Sequence, residues 1–324
     1  MAIREIRGEK LQALCFHSGV QKEIDLGKGV LKGVSRSFYL TIRFLPRLMR
    51  EPISLGYLLA RASDTIADTE QVPAALRETC LAKFTPALTD KVVRAELIEL
   101  ISSSFVSYQT NAKERLLLER LDDVFHWYDT VREWAWSAIA VVLGHICTGQ
   151  MNDIRHFAIN HHTSFSSAKE LETYCYQVAG SVGEFWSEVG YQSAHRFSRL
   201  ERSVLDETGG EYGIGLQLVN ILRDIPEDFA NGRCYLPVSD PQSKEQIMEA
   251  AKDWRAQARA YLDSGITYAK SLRKWRVRVA TILPALIAQE TLDLLDHASW
   301  EDLERGIKVD RATVKRCFRK ALFY

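Results

Sequence analysis

The sequence predicts an all-α fold, a single domain of 324 residues built as a bundle of long helices. Three observations predict it. Apolar residues recur at helical spacing along most of the chain, and the period-two alternation of strands is nearly missing. Clusters of Pro, Gly, Asn and Ser punctuate that periodicity, with no repeat and no low-complexity linker. Two otherwise apolar segments each carry a stripe of polar side chains on one helix face.

In chain order, the helical periodicity covers 9–32, 52–68, 73–86, 91–108, 112–127, 130–157, 167–190, 198–223, 243–274, 277–297 and 310–321. The breaks are "RFLPRLMREP", "TEQVP", "NHHTS" and "ANGRCYLPVSDPQS". Each supplies residues that stop helices for steric or hydrogen-bonding reasons. "SFSSAKE" offers serine N-caps with a glutamate downstream. Pro226 lacks an N–H and is expected to end its helix near Phe229.

Hydrophobic residues make up 46% of the chain, enough for a sizeable core. Lys+Arg and Asp+Glu are 42 each, and this zero balance argues against a dedicated nucleic-acid binder. The six cysteines are widely spaced and form no C-x-x-C, so they read as reduced thiols at core or boundary positions. "MAIREIRGEK" is charged within its first five residues and lacks the apolar stretch of a signal peptide. The longest apolar run, "SAIAVVLGHICTG", falls short of the ~18 residues of a membrane span. A cytoplasmic monomer is expected, its membrane contact limited to the periphery.

The first stripe lies in "GYLLARASDTIAD", where Tyr57, Arg61, Asp64 and Asp68 are spaced four, three and four. The second lies in "QLVNILRDIPEDF", where Gln217, Asn220, Asp224 and Asp228 are spaced three, four and four. Such spacings share one helix face. A lone carboxylate pair of this kind is ordinarily a solvated surface. Here the neighbours are apolar, and the motif occurs twice. Buried carboxylates need compensating charge. Mg²⁺ supplies it with oxygen ligands, taking one or two carboxylates and completing its shell with water and phosphate oxygens. The expected ligand is therefore a phosphate ester bridged by Mg²⁺ between two helices. Arg61 and Arg223 adjoin the acidic pairs, and "SRSFYL" offers two hydroxyls and an arginine at a helix boundary.

Four blocks, "SRSFYLTIRFLP", "YLLARASDTIAD", "YCYQVAGSVGEF" and "GLQLVNILRDIPEDFANGRCYLP", resemble in order and spacing the squalene/phytoene synthases, and most nearly the bacterial squalene synthases. These are head-to-head prenyltransferases of the all-α isoprenoid synthase fold. The resemblance implies that Asp64 and Asp68, with Asn220, Asp224 and Asp228, hold Mg²⁺, three ions in all with substrate. It implies diphosphate and prenyl binding by Ser35, Arg36, Ser37, Phe38, Gln217 and Arg223, with Tyr268 aligned to a tyrosine on a late helix. It assigns catalytic roles to Tyr57, Arg61 and Tyr174, with Tyr174 or the departing diphosphate as the base. Phe38, Tyr57, Tyr174 and Tyr176 are the aromatic faces offered to a carbocation.

The implied reaction joins two farnesyl diphosphates through presqualene diphosphate to squalene, with NADPH as reductant. The alternative stops at presqualene diphosphate or gives dehydrosqualene or phytoene, the last from geranylgeranyl diphosphate. With no Gly-x-Gly-x-x-Gly after a strand, NADPH is expected beside the substrate cavity, near Ser37 and Asn220. Two other readings are weaker. Cyclases of the same broad fold carry Asp-Asp-x-x-Asp, which is missing here, and intact aspartates argue against a scaffold with decayed catalysis. Val34 stands where some carotenoid-type members have histidine. "HH" at 161–162 reads as polar loop, Trp127, Trp134 and Trp136 as core, and "RKWRVRV" as a solvated helix end.

Overall fold

The computed structural model describes residues 25–35, 38–158 and 162–324. A turn of π-helix at Leu26–Val30 runs into Leu31–Ser35. The principal helices follow as α1 (Phe38–Phe44), α2 (Arg47–Ala67), α3 (Ala74–Ala87), α4 (Lys91–Ser104), α5 (Ala112–Glu119), α6 (Leu121–Tyr128) and α7 (Glu133–Ala158). After them come α8 (Ala168–Cys175), α9 (Ser181–Ser193), α10 (Arg202–Ala230), α11 (Lys244–Ser271), α12 (Trp275–Leu295) and α13 (Arg311–Ala321). The all-α expectation holds; the described strands are a two-residue parallel pair, β1 (Thr163–Ser164) and β2 (Arg233–Cys234).

Local chemistry sets many of the boundaries. Ser167 caps α8 by accepting from the Glu170 N–H, and Glu170 returns to the Ser166 N–H at 2.7 Å. Asp90, Ser243 and Asp310 cap α4, α11 and α13 in the same way. α2 starts earlier than expected because Pro52 sits within it, buried, rather than marking its edge. Pro226 is likewise carried inside α10, which ends at Ala230, one residue past the expected end. The stretch 112–127 divides at Arg120, whose N–H takes the last carbonyls of α5 in a tight turn; apolar spacing cannot register a one-residue break.

Two apolar cores flank the centre. One gathers Leu55, Phe84, Phe125 and Ile139 from α2, α3, α6 and α7. The other gathers Leu218, Leu222, Leu262 and Leu292 from α10, α11 and α12. Trp127 is core as expected, whereas Trp136 is 41% exposed and donates its indole N–H to the Tyr128 carbonyl at 2.7 Å. The five described cysteines are buried free thiols; Cys15 lies outside the described residues.

Two features position the site. Asn231 ends α10, and Gly232, at φ +74°, turns the chain into β2. That turn aims Arg233 and Tyr235 at the helix stripes. Between α8 and α9 the chain makes a π-turn at Tyr176–Gly180. Four-residue spacing drifts by ~40° per step in a regular α-helix, and a wider turn removes the drift. Tyr174, Val178 and Val182 consequently line one cavity. This segment meets α10 backbone to backbone. A Cβ at Gly183 would lie 1.8 Å from the Gly209 carbonyl oxygen, and one at Gly213 would lie 2.1 Å from that of Ala179.

Candidate active site

α2, α7, α9 and α10 enclose a cavity of about 500 Å³. Asp64 and Asp68 line it from α2, and Gln217 and Asn220 from α10. Asp224 and Asp228 continue the α10 stripe by one and two turns. The first carboxylate of each pair is held by an arginine. Arg61 pairs with Asp64 and, across 53 residues of sequence, with Glu114 at 2.5 Å. Arg223 grips Asp224 through two bonds of 2.8 and 2.6 Å. Asn220 donates to Gln217 at 3.5 Å.

The second carboxylate of each pair is less compensated. Burial, and then the neighbouring Asp64, push Asp68 up to about 7. Burial, and then Asp224, push Asp228 up to about 8. Arg233 and Asp153 act on both, and both line the cavity. Arg233 lies 4.0 Å from Asp153 and 2.5 Å from Glu70. The Tyr174 and Tyr235 rings stack at 5.1 Å, and both line the cavity with Asp153. Burial raises Asp153 above the usual carboxylate range and Tyr174 well above its ordinary value.

Apolar space extends from this polar centre. The Phe38 and Tyr57 rings stand 5.3 Å apart, and the Tyr57 hydroxyl donates to the Val34 carbonyl at 3.3 Å. Phe38, Val178, Val182, Trp186 and Leu216 are shared with a second pocket of about 190 Å³. Tyr268 lines that pocket, its hydroxyl bonded to Ser187 at 2.9 Å, away from the acidic stripes. Phe38, Leu216 and Asn220 also border a groove of about 1030 Å³ that runs along α12 to α13.

The structure thus brings Phe38, Tyr57, Arg61, Asp64, Asp68, Tyr174, Gln217 and Asn220 to one cavity, with Asp224 and Asp228 following on the α10 stripe. Two residues make local contacts instead. Ser35 is buried, and its hydroxyl donates to the Leu31 carbonyl at 2.5 Å. Tyr176 donates to Glu184 at 2.9 Å and sets its ring against His145, turning from the cavity. Arg36 and Ser37 lie outside the described residues, as does His161. His156 bonds the Ser164 carbonyl, consistent with a polar loop.

Sequence reading passed over Gln150, Asp153, Glu114, Arg233 and Tyr235. For Gln150 and Asp153 the signal existed: they lie three apart on the inner face of α7, the same spacing that marked the stripes.

The squalene/phytoene synthase family model matches residues 31–316. The chain belongs to the squalene/phytoene synthase family. Its relatives include a probable squalene synthase of Neurospora crassa, 28% identical over 87% of this chain and 58% of the relative. A squalene synthase of Schizosaccharomyces pombe is 27% identical over 81% of this chain and 57% of the relative. Both are fungal rather than bacterial, and the chain spans under three fifths of either. A ligand-bound structure named TcSQS superposes with TM-score 0.76 at 22% identity, covering 93% of this chain and 86% of that one. A dehydrosqualene synthase superposes at 0.63 and 20% identity, covering 95% and 98%. At these identities the superpositions establish the shared fold.

The donor set of this family member suits a hard divalent cation. Among the described residues, the buried Gln150 Oε1 and Asp153 Oδ1 have no hydrogen-bond partner, and both residues line the cavity. Among the same residues, no three His, Cys, Asp or Glu side chains converge to hold an ion unaided. That pattern fits half-sites completed by substrate oxygens and water, as Mg²⁺ prefers.

The raised carboxyls give a pH dependence. The folded chain holds protons at Asp68 and Asp228 up to about 7 and about 8, whereas ordinary Asp releases them near 3.8. The stability these groups contribute is fully present below the unfolded value and is lost as pH rises through the folded values. Solvent reaching the open cavity screens part of the effect. The thermal midpoint without divalent cation is expected to fall between about pH 5 and about pH 8.5. Mg²⁺ with inorganic diphosphate should flatten that slope; an equal slope with and without them would count against the metal half-sites.

Proposed function

We propose that the chain condenses two farnesyl diphosphates head to head, through presqualene diphosphate, to squalene, using Mg²⁺ and consuming NADPH as a second substrate. One observation carries the reading: two acidic helix stripes meet at a cavity that continues into apolar pockets, as a charged head on a hydrocarbon tail requires. The relatives' names as squalene synthases support the choice of product.

Asp64 and Asp68 on one wall, and Asn220, Asp224 and Asp228 on the other, would hold the cations. Mg²⁺ bound with the diphosphate supplies the positive charge that lets it leave. Arg61 and Arg223, which pair with Asp64 and Asp224, would supply cationic donors for phosphate oxygens. Val142, Ile146, Val178 and Leu216 keep the chamber dry, so that water does not quench the allylic cation. Phe38 and Tyr57 present ring faces that stabilise positive charge without attacking it. Closing the cyclopropane releases a proton from carbon. The Tyr174 hydroxyl, at the cavity wall, is the protein group that would accept it, with the departing diphosphate as the alternative base. Ionisation of presqualene diphosphate and hydride delivery from NADPH complete the sequence.

Product analysis tests this. With farnesyl diphosphate, Mg²⁺ and no NADPH, presqualene diphosphate is expected to accumulate, and adding NADPH should convert it to squalene. In the same assay Tyr174→Phe should slow the first half-reaction by about 10²-fold, the usual worth of a positioned base. If NADPH changes neither product nor rate, the squalene reading fails. Faster use of geranylgeranyl diphosphate would replace it with phytoene synthesis. An unchanged rate for Tyr174→Phe would leave the diphosphate as the base.

A further inference from the structure

The segment from Gln109 to Arg115 reaches α2 at both ends of its acidic pair. Beyond Asp68, the buried Gln109 donates to the Thr69 hydroxyl at 2.8 Å, and Thr69 donates to the Thr65 carbonyl at 2.6 Å. Arg115 returns to the Gln109 carbonyl at 2.5 and 3.1 Å, which ties this loop to the first turn of α5. Before Asp64, Glu114 takes Nη2 of Arg61 at 2.5 Å. The two side chains are 29% and 20% exposed, so solvent screens them less than a surface pair.

Glu114 departs from the role its position predicts. Asn111 is the N-cap of α5, its side-chain oxygen accepting from the Lys113 N–H at 3.1 Å. Glu114 stands three residues later, where a glutamate ordinarily folds back on the main-chain N–H of the N-cap. Here its Oε1 accepts from the Asn111 side-chain amide at 3.0 Å and from Arg61, 53 residues away in sequence.

The two arginines beside the acidic pairs are thus held differently. Arg223 closes on Asp224 with two donors, Nε and Nη2. The Arg61 fork is split. Its Nη1 goes to Asp64 and its Nη2 to Glu114, and its buried Nε has no partner among the described residues. A guanidinium beside a single carboxylate favours the parallel two-bond pairing that Arg223 makes. Glu114 opposes that pairing at Arg61. It holds the arginine at the cavity wall and draws half of the fork away from Asp64.

We propose that Glu114 is a positioning residue that keeps Arg61 from closing on Asp64, so that Asp64 stays available to a divalent cation. This rests on the metal role given to Asp64 above, and the test separates the two. The thermal midpoint of the full chain is followed as Mg²⁺ is raised at fixed inorganic diphosphate, which gives a half-saturating Mg²⁺ concentration without turnover. Glu114→Gln is expected to raise that concentration about tenfold. In the product assay at saturating Mg²⁺, its kcat should fall less than about threefold, because excess cation recovers Asp64. Arg61→Gln removes the competitor, so adding Glu114→Gln to it should change the half-saturating concentration by less than about twofold. Asn111→Ser keeps a capping side chain but withdraws the amide from Glu114, and should raise the concentration about two- to threefold. If Glu114→Gln does not fold, Asn111→Ser decides. An unchanged Mg²⁺ demand in the folded variant would overturn the proposal. A rise that persists in the Arg61→Gln background would overturn it too, since the charge of Glu114 would then act on the cation directly. If Mg²⁺ with diphosphate leaves the wild-type midpoint unmoved, the metal half-sites fall and this proposal falls with them.

Discussion

Asp64→Ala and Asp224→Ala are each expected to abolish turnover while leaving the helical fold intact. Under the proposed function, each removes a hard-oxygen ligand for Mg²⁺ from one of the two stripes. Each also frees an arginine, Arg61 or Arg223, that the carboxylate had held. The freed guanidinium can still bind diphosphate, so the loss should fall on turnover more than on apparent substrate affinity. A fall of at least about 100-fold is expected, equivalent to ~2.7 kcal/mol of barrier. Folding should not suffer. Burial raises the Asp64 carboxyl, so removing it relieves a desolvation cost, and the thermal midpoint should hold or rise. Turnover above about a tenth of wild type, ~1.4 kcal/mol, in either variant would remove that residue from the metal site.

Gly183→Ala is expected to be the most damaging small substitution in the molecule. The added methyl would need the space of the Gly209 carbonyl, 1.8 Å away. Backbone on both sides leaves nothing to rotate aside, so α9 must shift off α10. Overpacking of this kind costs about 3 kcal/mol. The same shift would displace the wall that carries Val178 and Val182. Gly144→Ala is the matched control. It also lies within a helix, but the nearest atom to its new methyl is the Thr85 Oγ1 at 3.9 Å. There the gain in helix propensity should show, up to ~1 kcal/mol of stabilisation. Denaturant midpoints of the two variants measure the contrast. Similar midpoints for both would mean the helices separate more easily than their contact implies.

Much of the site was legible because its signals are local. Asp64 and Asp68, and Gln217, Asn220, Asp224 and Asp228, each declare themselves by spacing on one helix. The contradiction between their chemistry and their apolar neighbours points to a cavity. What stayed hidden depends on contacts across the chain. Arg233 and Tyr235 reach the acidic pairs through a parallel pairing two residues long, Thr163 with Arg233 and Ser164 with Cys234. No alternation of residue types announces a ladder that short. Glu114 meets Arg61 from a helix 53 residues away. Ser35 shows a local competitor that spacing cannot reveal: its hydroxyl donates to the carbonyl one turn back. The fold class was legible throughout, since helical periodicity survives uncertainty about any one boundary. The one-residue break at Arg120 and the π-turn at Tyr176–Gly180 were not, because both change hydrogen bonding without changing apolar spacing.

The glycine contact between α9 and α10 also decides how this chamber can be re-proportioned. On that side the separation is set by main chain against main chain, and no side chain there can be trimmed or enlarged to alter it. The facing side is different: Ile53 and Ala60 on α2, with Val142 and Ile146 on α7, meet the space through side chains. The spacing of one wall is therefore fixed by backbone, while the side chains that face the space can vary on both. Under the proposed function, substitutions that change the accepted chain length should be recoverable wherever side chains line the space, Val142 and Ile146 on one side and Val178 and Leu216 on the other, but not by moving α9 away from α10.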